Sequence, residues 1–257
     1  MGGNTLNHSW PKYLTFGLTL PFLPKVPSDM LAFMSGGLML CLIIHHFAPR
    51  KVVVPINLTD KMIISSNLFL TGLSASVFLR IANSYDGIYG VQSYLDVPPK
   101  ELLYPLAWVT VEETSFFLIH RFLHQPGIYD KCHKMHHKFK TTSAWTSFYS
   151  HPLDQLFAIL WTALGPPLLQ VTLLSTPASA PIVTLWLFGA IITFTSSHHT
   201  VIGAGGHAEG TDHLEHHQKF NVNFGNFGFY DQRAGSYASA MEQRRKNKEK
   251  DAKAKSK

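Results

Sequence analysis

Residues 102–124 read LLYPLAWVTVEETSFFLIHRFLH. From Leu102 to Ile119 the only formal charges are Glu112 and Glu113. That run approaches the roughly 20 residues a helix needs to cross a bilayer. It ends in His120-Arg-Phe-Leu-His124, whose two imidazoles lie on one helical face. An apolar span that delivers paired histidines at its end points to a helical membrane protein with its chemistry at the boundary.

Composition agrees. Hydrophobic residues make up 46% of the 257, and charged residues 15%, against a usual charged share of about 25%. Such a chain is not intrinsically disordered. Its mean hydropathy is only +0.04, so a polar part accompanies the spans. Working outward, Met30 to Pro49 and Met62 to Leu79 are charge-free runs, and Gln155 to Ala208 is a longer one. Pro166-Pro167 and Pro177 to Pro181 interrupt the last, which predicts a hairpin with arms Leu156 to Leu174 and Ala180 to Phe194. The expected fold is all-α: a polytopic membrane protein with four to five transmembrane helices and a cytoplasmic, helical, histidine-rich metal-binding cap. A soluble all-helical core is the alternative. Three regions follow: an N-terminal membrane region, 1–101, with spans near 30–49 and 62–79; a histidine-bearing region, 102–235, with the hairpin at 155–197; and a basic tail, 236–257.

The formal net charge is +6, but Glu242 to Lys257 alone holds eight Lys/Arg and three Asp/Glu. The remainder is nearly neutral, which excludes the basic face that nucleic-acid binding requires. Lys253 to Lys257 resembles a di-lysine retrieval signal of the endoplasmic reticulum; a frayed charged tail is the alternative. With spans near 30–49, 62–79 and 102–119, then the hairpin, only Lys12, Lys25, Arg80 and Lys100 fall opposite the remaining Lys/Arg. The positive-inside rule puts residues 120–154 and the C-terminal part in the cytoplasm. Cys41 and Cys132 form no disulfide framework.

Of 15 histidines, 12 lie between 120 and 217. Two further boxes match in form, His133-Lys-Met-His136-His137 and His213-Leu-Glu-His216-His217. On a helix the first and third histidines of each box face together, with the middle one close by. Neutral imidazole ligates iron and zinc. The three boxes offer eight imidazoles, too many for one ion, so two metal ions fit the count. Glu113 precedes His120 by seven residues and shares its stripe to within about 40°. A carboxylate in a span is costly. Glu113 either supports the metal site or pairs with a basic side chain.

The chain resembles the fatty acid hydroxylase/sterol desaturase superfamily of membrane di-iron oxygenases. The resemblance rests on Val111-Glu-Glu before the first box, Tyr129 before the second, Tyr149-Ser-His151-Pro-Leu-Asp154, His199, the third box, Asn223-Phe-Gly and Tyr230-Asp231. Many members have Trp-Asp where this chain has Tyr230-Asp231. The resemblance implies metal ligation by His120, His124, His133, His136, His137, His199, His213, His216 and His217, with His151 as a further candidate. It leaves His198 and His207 unassigned. It implies two iron ions, O2, and hydroxylation or desaturation of a lipid C–H bond. The motifs look most like sterol C4-methyl oxidases, so a sterol substrate leads and a fatty-acyl or sphingolipid substrate is the alternative. A catalytically silent metal- or lipid-binding membrane protein is the reading from another class. Electrons derived from NAD(P)H are expected through cytochrome b5 and its reductase at the endoplasmic reticulum.

Overall fold

Asn57 starts the first described helix, α1, Leu58–Ser84. Its Oδ1 accepts from Asp60 N–H at 2.9 Å while its own N–H donates to Asp60 Oδ2 at 3.3 Å, a reciprocal cap. The computed structural model describes residues 54–84, 87–89, 96–198 and 212–238, with isolated positions 36, 39 and 43. The span expected at 30–49 (apart from those positions), His199, His207 and the tail beyond 238 lie outside the described residues.

A 3-10 turn, Pro99–Leu103, leads into α2, Tyr104–Leu123. Helix α3, Pro152–Leu174, and helix α4, Ala180–Ser197, form the hairpin. Pro166 and Pro167 lie inside α3 without ending it, as a span supported by neighbouring helices allows. Two short helices follow, α5 at Asp212–Lys219 and α6 at Phe229–Ala234. The fold is mostly helical. A two-residue parallel ladder pairs β1, Ile88–Tyr89, with β2, Ala178–Ser179. Buried Glu101 ties that end together: it accepts from the Tyr89 hydroxyl and from Ser179 N–H.

Four described helices, α1 to α4, are long and apolar enough to cross a membrane. Only 22–33% of each apolar window is buried inside the protein. Leu106, Leu118, Leu173 and Leu185 are exposed, an outer surface suited to lipid tails rather than water. Between the helices, Trp108 and Trp186 meet edge to face at 5.6 Å, within a cluster that includes Phe78, Ile182, Val183 and Leu187. Each indole N–H is satisfied: Trp108 donates to Gln170 Oε1 and Trp186 to the Ala163 carbonyl.

The histidine-bearing end is anchored by polar contacts. Asn67, buried on α1, donates to the carbonyls of Phe148 and Ser150 at 2.8 and 2.9 Å. Gln155 donates to Thr71 and accepts from Ser150. Lys138 pairs with Asp60 at the start of α1. The second box departs from the regular helix expected there. It lies on a π turn, Tyr129–His133, followed by a 3-10 turn, His136–Lys138.

Candidate metal centre

Helix α2 carries His120 to its buried end, and His124 follows as its C-cap. The π turn brings His133 beneath them, and α5 supplies the third box from the opposite side. Nine imidazoles converge in two adjacent groups. His120, His124, His133, His137 and His216 form one; His136, His198, His213 and His217 form the other. Within each group the ligand atoms lie within 4.8 Å of one another. The first and third histidines of each later box share a group, and the middle one crosses to the other.

Tautomers follow from the partners. Nδ1–H of His120 donates to the Phe224 carbonyl at 2.7 Å, and that of His216 to the Val222 carbonyl at 2.6 Å. His198 donates to the Phe194 carbonyl at 2.8 Å, His136 to the Tyr149 carbonyl at 3.3 Å, and His133 to Asp154 Oδ2 at 2.9 Å. A carbonyl only accepts, so the proton sits on Nδ1 and each Nε2 presents a bare lone pair. These lone pairs face each other: Nε2 of His120 and His133 are 3.1 Å apart, and Nε2 of His136 and His198 are also 3.1 Å apart. Two lone pairs at that distance repel unless a cation lies between them.

Several buried nitrogens have no hydrogen-bond partner: His124 Nε2, His137 Nδ1, His213 Nδ1 and both nitrogens of His217. Buried polar atoms are normally satisfied. Burial drives His133 down to about 3 and His136 to about 4, and holds His137, His198, His213, His216 and His217 well below the usual imidazole value. The groups therefore stay neutral, the form that ligates metal. The spacing agrees: nitrogens about 2.1 Å from one ion and at right angles are about 3.0 Å apart. The donor set fits two transition-metal ions.

Around the imidazoles, a loop does much of the orienting. Asn223, at φ 54°, turns the chain so that the carbonyls on either side of it reach His216 and His120. Its side chain holds the turn by donating to the Asp212 carbonyl and accepting from Ala238 N–H. Asp231 accepts from the N–H groups of Phe224 and Gly225. Glu113 accepts from Asn226 N–H at 2.8 Å and also from Phe227 N–H. Glu113 thus touches no imidazole and pairs with no base among the described residues; it pins the loop that orients two histidines. Asp154 is the carboxylate that meets a ring nitrogen directly.

The remaining expected residues divide. His151 lies in neither group; its Nδ1 accepts from Leu153 N–H and caps the start of α3. Cys132 is also outside both groups. His198, left unassigned by the sequence, enters the second group, while the neighbouring His199 is not among the described residues. Two consecutive histidines cannot be told apart by spacing. The distinguishing feature is that His198 ends α4, four residues after the Phe194 carbonyl it bonds.

Beside the second group lies a cavity of about 330 Å³. His198 and His213 close one end; Val109, Phe116, Trp186 and Phe194 give it apolar walls.

The family model described as "Fatty acid hydroxylase" matches residues 105–236, just over half of the chain and all of this site. The chain belongs to the fatty acid hydroxylase family. Among curated relatives of this family, "Fatty acid hydroxylase domain-containing protein 2" of Macaca fascicularis is 32% identical over 49% of this chain and 36% of its own length. "Delta(7)-sterol 5(6)-desaturase" of Candida glabrata is 26% identical over 89% of this chain and 60% of its own. "Fatty acid hydroxylase ahd1" of Mycosarcoma maydis is 29% identical over 56% of this chain and 34% of its own. The chain thus spans between about a third and three fifths of these relatives. No solved structure matches it.

Proposed function

We propose that this chain is a membrane-bound oxidoreductase that uses O2 and two iron ions to hydroxylate or desaturate a lipid C–H bond, with a sterol as the leading substrate. The carrying observation is the pair of neutral imidazole groups, one of them opening onto an apolar cavity between membrane helices. The ligands are the nine grouped histidines. Iron bound there supplies O2 activation and hydrogen removal from an unactivated C–H bond. The protein's own part is positional. The carbonyls of Val222, Phe224, Phe194 and Tyr149, together with Asp154, fix the ring tautomers, and such partners strongly affect metal affinity. Phe116 and Trp186 help keep the cavity dry. Exposed apolar faces of α2 and α4 adjoin the lipid from which a substrate would slide in.

Electrons come from an external donor, cytochrome b5 with its NAD(P)H-dependent reductase, at the cytoplasmic face of the endoplasmic reticulum. Region 102–235 is the catalytic domain, region 1–101 the N-terminal membrane part, and 236–257 a cytoplasmic tail. The relative named a fatty acid hydroxylase favours a second reading, an acyl or sphingolipid substrate at the same metals.

The test is isotope tracing. Membranes carrying the protein or His216→Ala receive NADH, NADPH and ¹⁸O2, and all lipids are analysed by mass spectrometry. The expected result is protein-dependent ¹⁸O, or a new double bond, in a sterol. The same change in an acyl lipid moves the second reading forward. No difference from the variant, with reductases active, overturns the oxidoreductase reading and favours a silent binder.

A further inference from the structure

Helix α2 presents two adjacent stripes. Glu113 and His120 lie on one, occupied by the loop and the metal groups. Pro105, Val109, Glu112 and Phe116 lie on the other and line the cavity. Among the described residues Glu112 is the only carboxylate on that lining, and no Lys or Arg joins it. Its Oε1 accepts from Asn226 Nδ2 at 2.8 Å; its Oε2 accepts from nothing among the described residues. A carboxyl group on the lining of an apolar cavity at membrane depth costs free energy unless the occupant hydrogen-bonds to it.

We infer that Glu112 is a specificity-determining residue whose second oxygen receives the hydroxyl of a lipid alcohol. The inference rests on the oxygenase reading and names its substrate class. A hydrocarbon tail at this wall leaves the oxygen unpaired against methylenes. A free fatty acid brings a second acidic group to a wall with no Lys or Arg among the described residues. A hydroxyl satisfies the oxygen without adding charge. Asn226 holds the carboxyl in place from the loop that also orients His120 and His216. Glu112 is one helical turn from Phe116, whose ring centroid is 6.3 Å from that of His213. The hydroxyl and the oxidised C–H therefore belong to the same end of the lipid. The cavity's volume is near the lower limit for ligand pockets, so it takes that end and leaves the rest in the bilayer.

The test measures binding of matched probes to the purified, metal-loaded protein: cholestanol against 5α-cholestane, and 1-hexadecanol against hexadecane and palmitate. The wild type is expected to bind at least one alcohol about tenfold more tightly than its hydrocarbon, and more tightly than palmitate. Glu112→Leu should abolish that preference, Glu112→Gln should keep most of it, and both should retain the wild-type metal content. The absence of an alcohol preference in the wild type, or a preference that survives Glu112→Leu, overturns the inference. ¹⁸O2 incorporation in the same preparations separates the two claims. Oxidation without the preference removes the alcohol site alone. The preference without oxidation supports the alcohol site and removes the oxygenase reading.

Discussion

Gly225→Ala should weaken one metal position and spare the other. A Cβ at Gly225 would lie 2.6 Å from Glu113 Oε1 and 3.2 Å from Asp231 Oδ2. Neither carboxylate yields easily: Glu113 is held by the N–H groups of Asn226 and Phe227, and Asp231 by those of Phe224 and Gly225 and by the Ser236 hydroxyl. Relieving the overlap needs a shift of several tenths of an ångström, and the backbone beside it carries the Phe224 carbonyl. That carbonyl is the 2.7 Å acceptor for His120 Nδ1. Weakening a buried hydrogen bond to a ligand histidine costs about 1–3 kcal/mol, and losing such a partner lowers metal affinity about 10–100-fold. The loss should fall on the group containing His120 and leave the His136, His198, His213 and His217 group loaded. Chelator competition read by metal analysis should show two ions released at similar chelator concentrations from the wild type. In Gly225→Ala, one should leave at a tenfold or greater dilution of chelator. Gly189→Ala, where a Cβ meets nothing within 4 Å, should match the wild type in metal retention. Equal retention of both ions by Gly225→Ala would refute the account of the loop.

Three further outcomes are expected. His198→Ala should lose one metal ion, whereas His151→Ala should keep both and cost about 0.5–2 kcal/mol through the lost cap, read by thermal unfolding and metal analysis. Acid should destabilise the metal-free protein: with His136 lowered to about 4 and His133 to about 3, the unfolded chain binds more protons below about pH 6.5. The contribution of each of these two histidines is therefore full above pH 6.5 and falls with decreasing pH by about 1.4 kcal/mol per unit, down to its folded value. A pH series of denaturation midpoints with and without metal checks this; bound metal should remove most of the loss near pH 6. Asp154→Ala should weaken metal binding about 10–100-fold by releasing His133, measured by the same chelator competition.

The spans from 58 to 197 were legible because apolar runs of bilayer length with two charges at most admit few other structures. The pairing of His133 with His137, and of His213 with His217, was legible from four-residue spacing, although a π turn rather than a regular helix carries His133. The loop was not. His120 bonds a carbonyl 104 residues away, and main-chain acceptors leave no mark in side-chain identity. Glu113 fell on the stripe of His120 as expected, yet its carboxyl reaches N–H groups of a distant loop instead of an imidazole. Spacing places residues on one face of one helix; it does not say which distant segment packs there. The same limit hid His198 beside His199.

The most direct test of the central claim is the metal content and coordination of purified protein reconstituted with iron. The account predicts two ions per chain. X-ray absorption should show nitrogen-type neighbours at about 2.1 Å with no sulfur among them. One ion or none per chain, or a sulfur neighbour from Cys132, would contradict it.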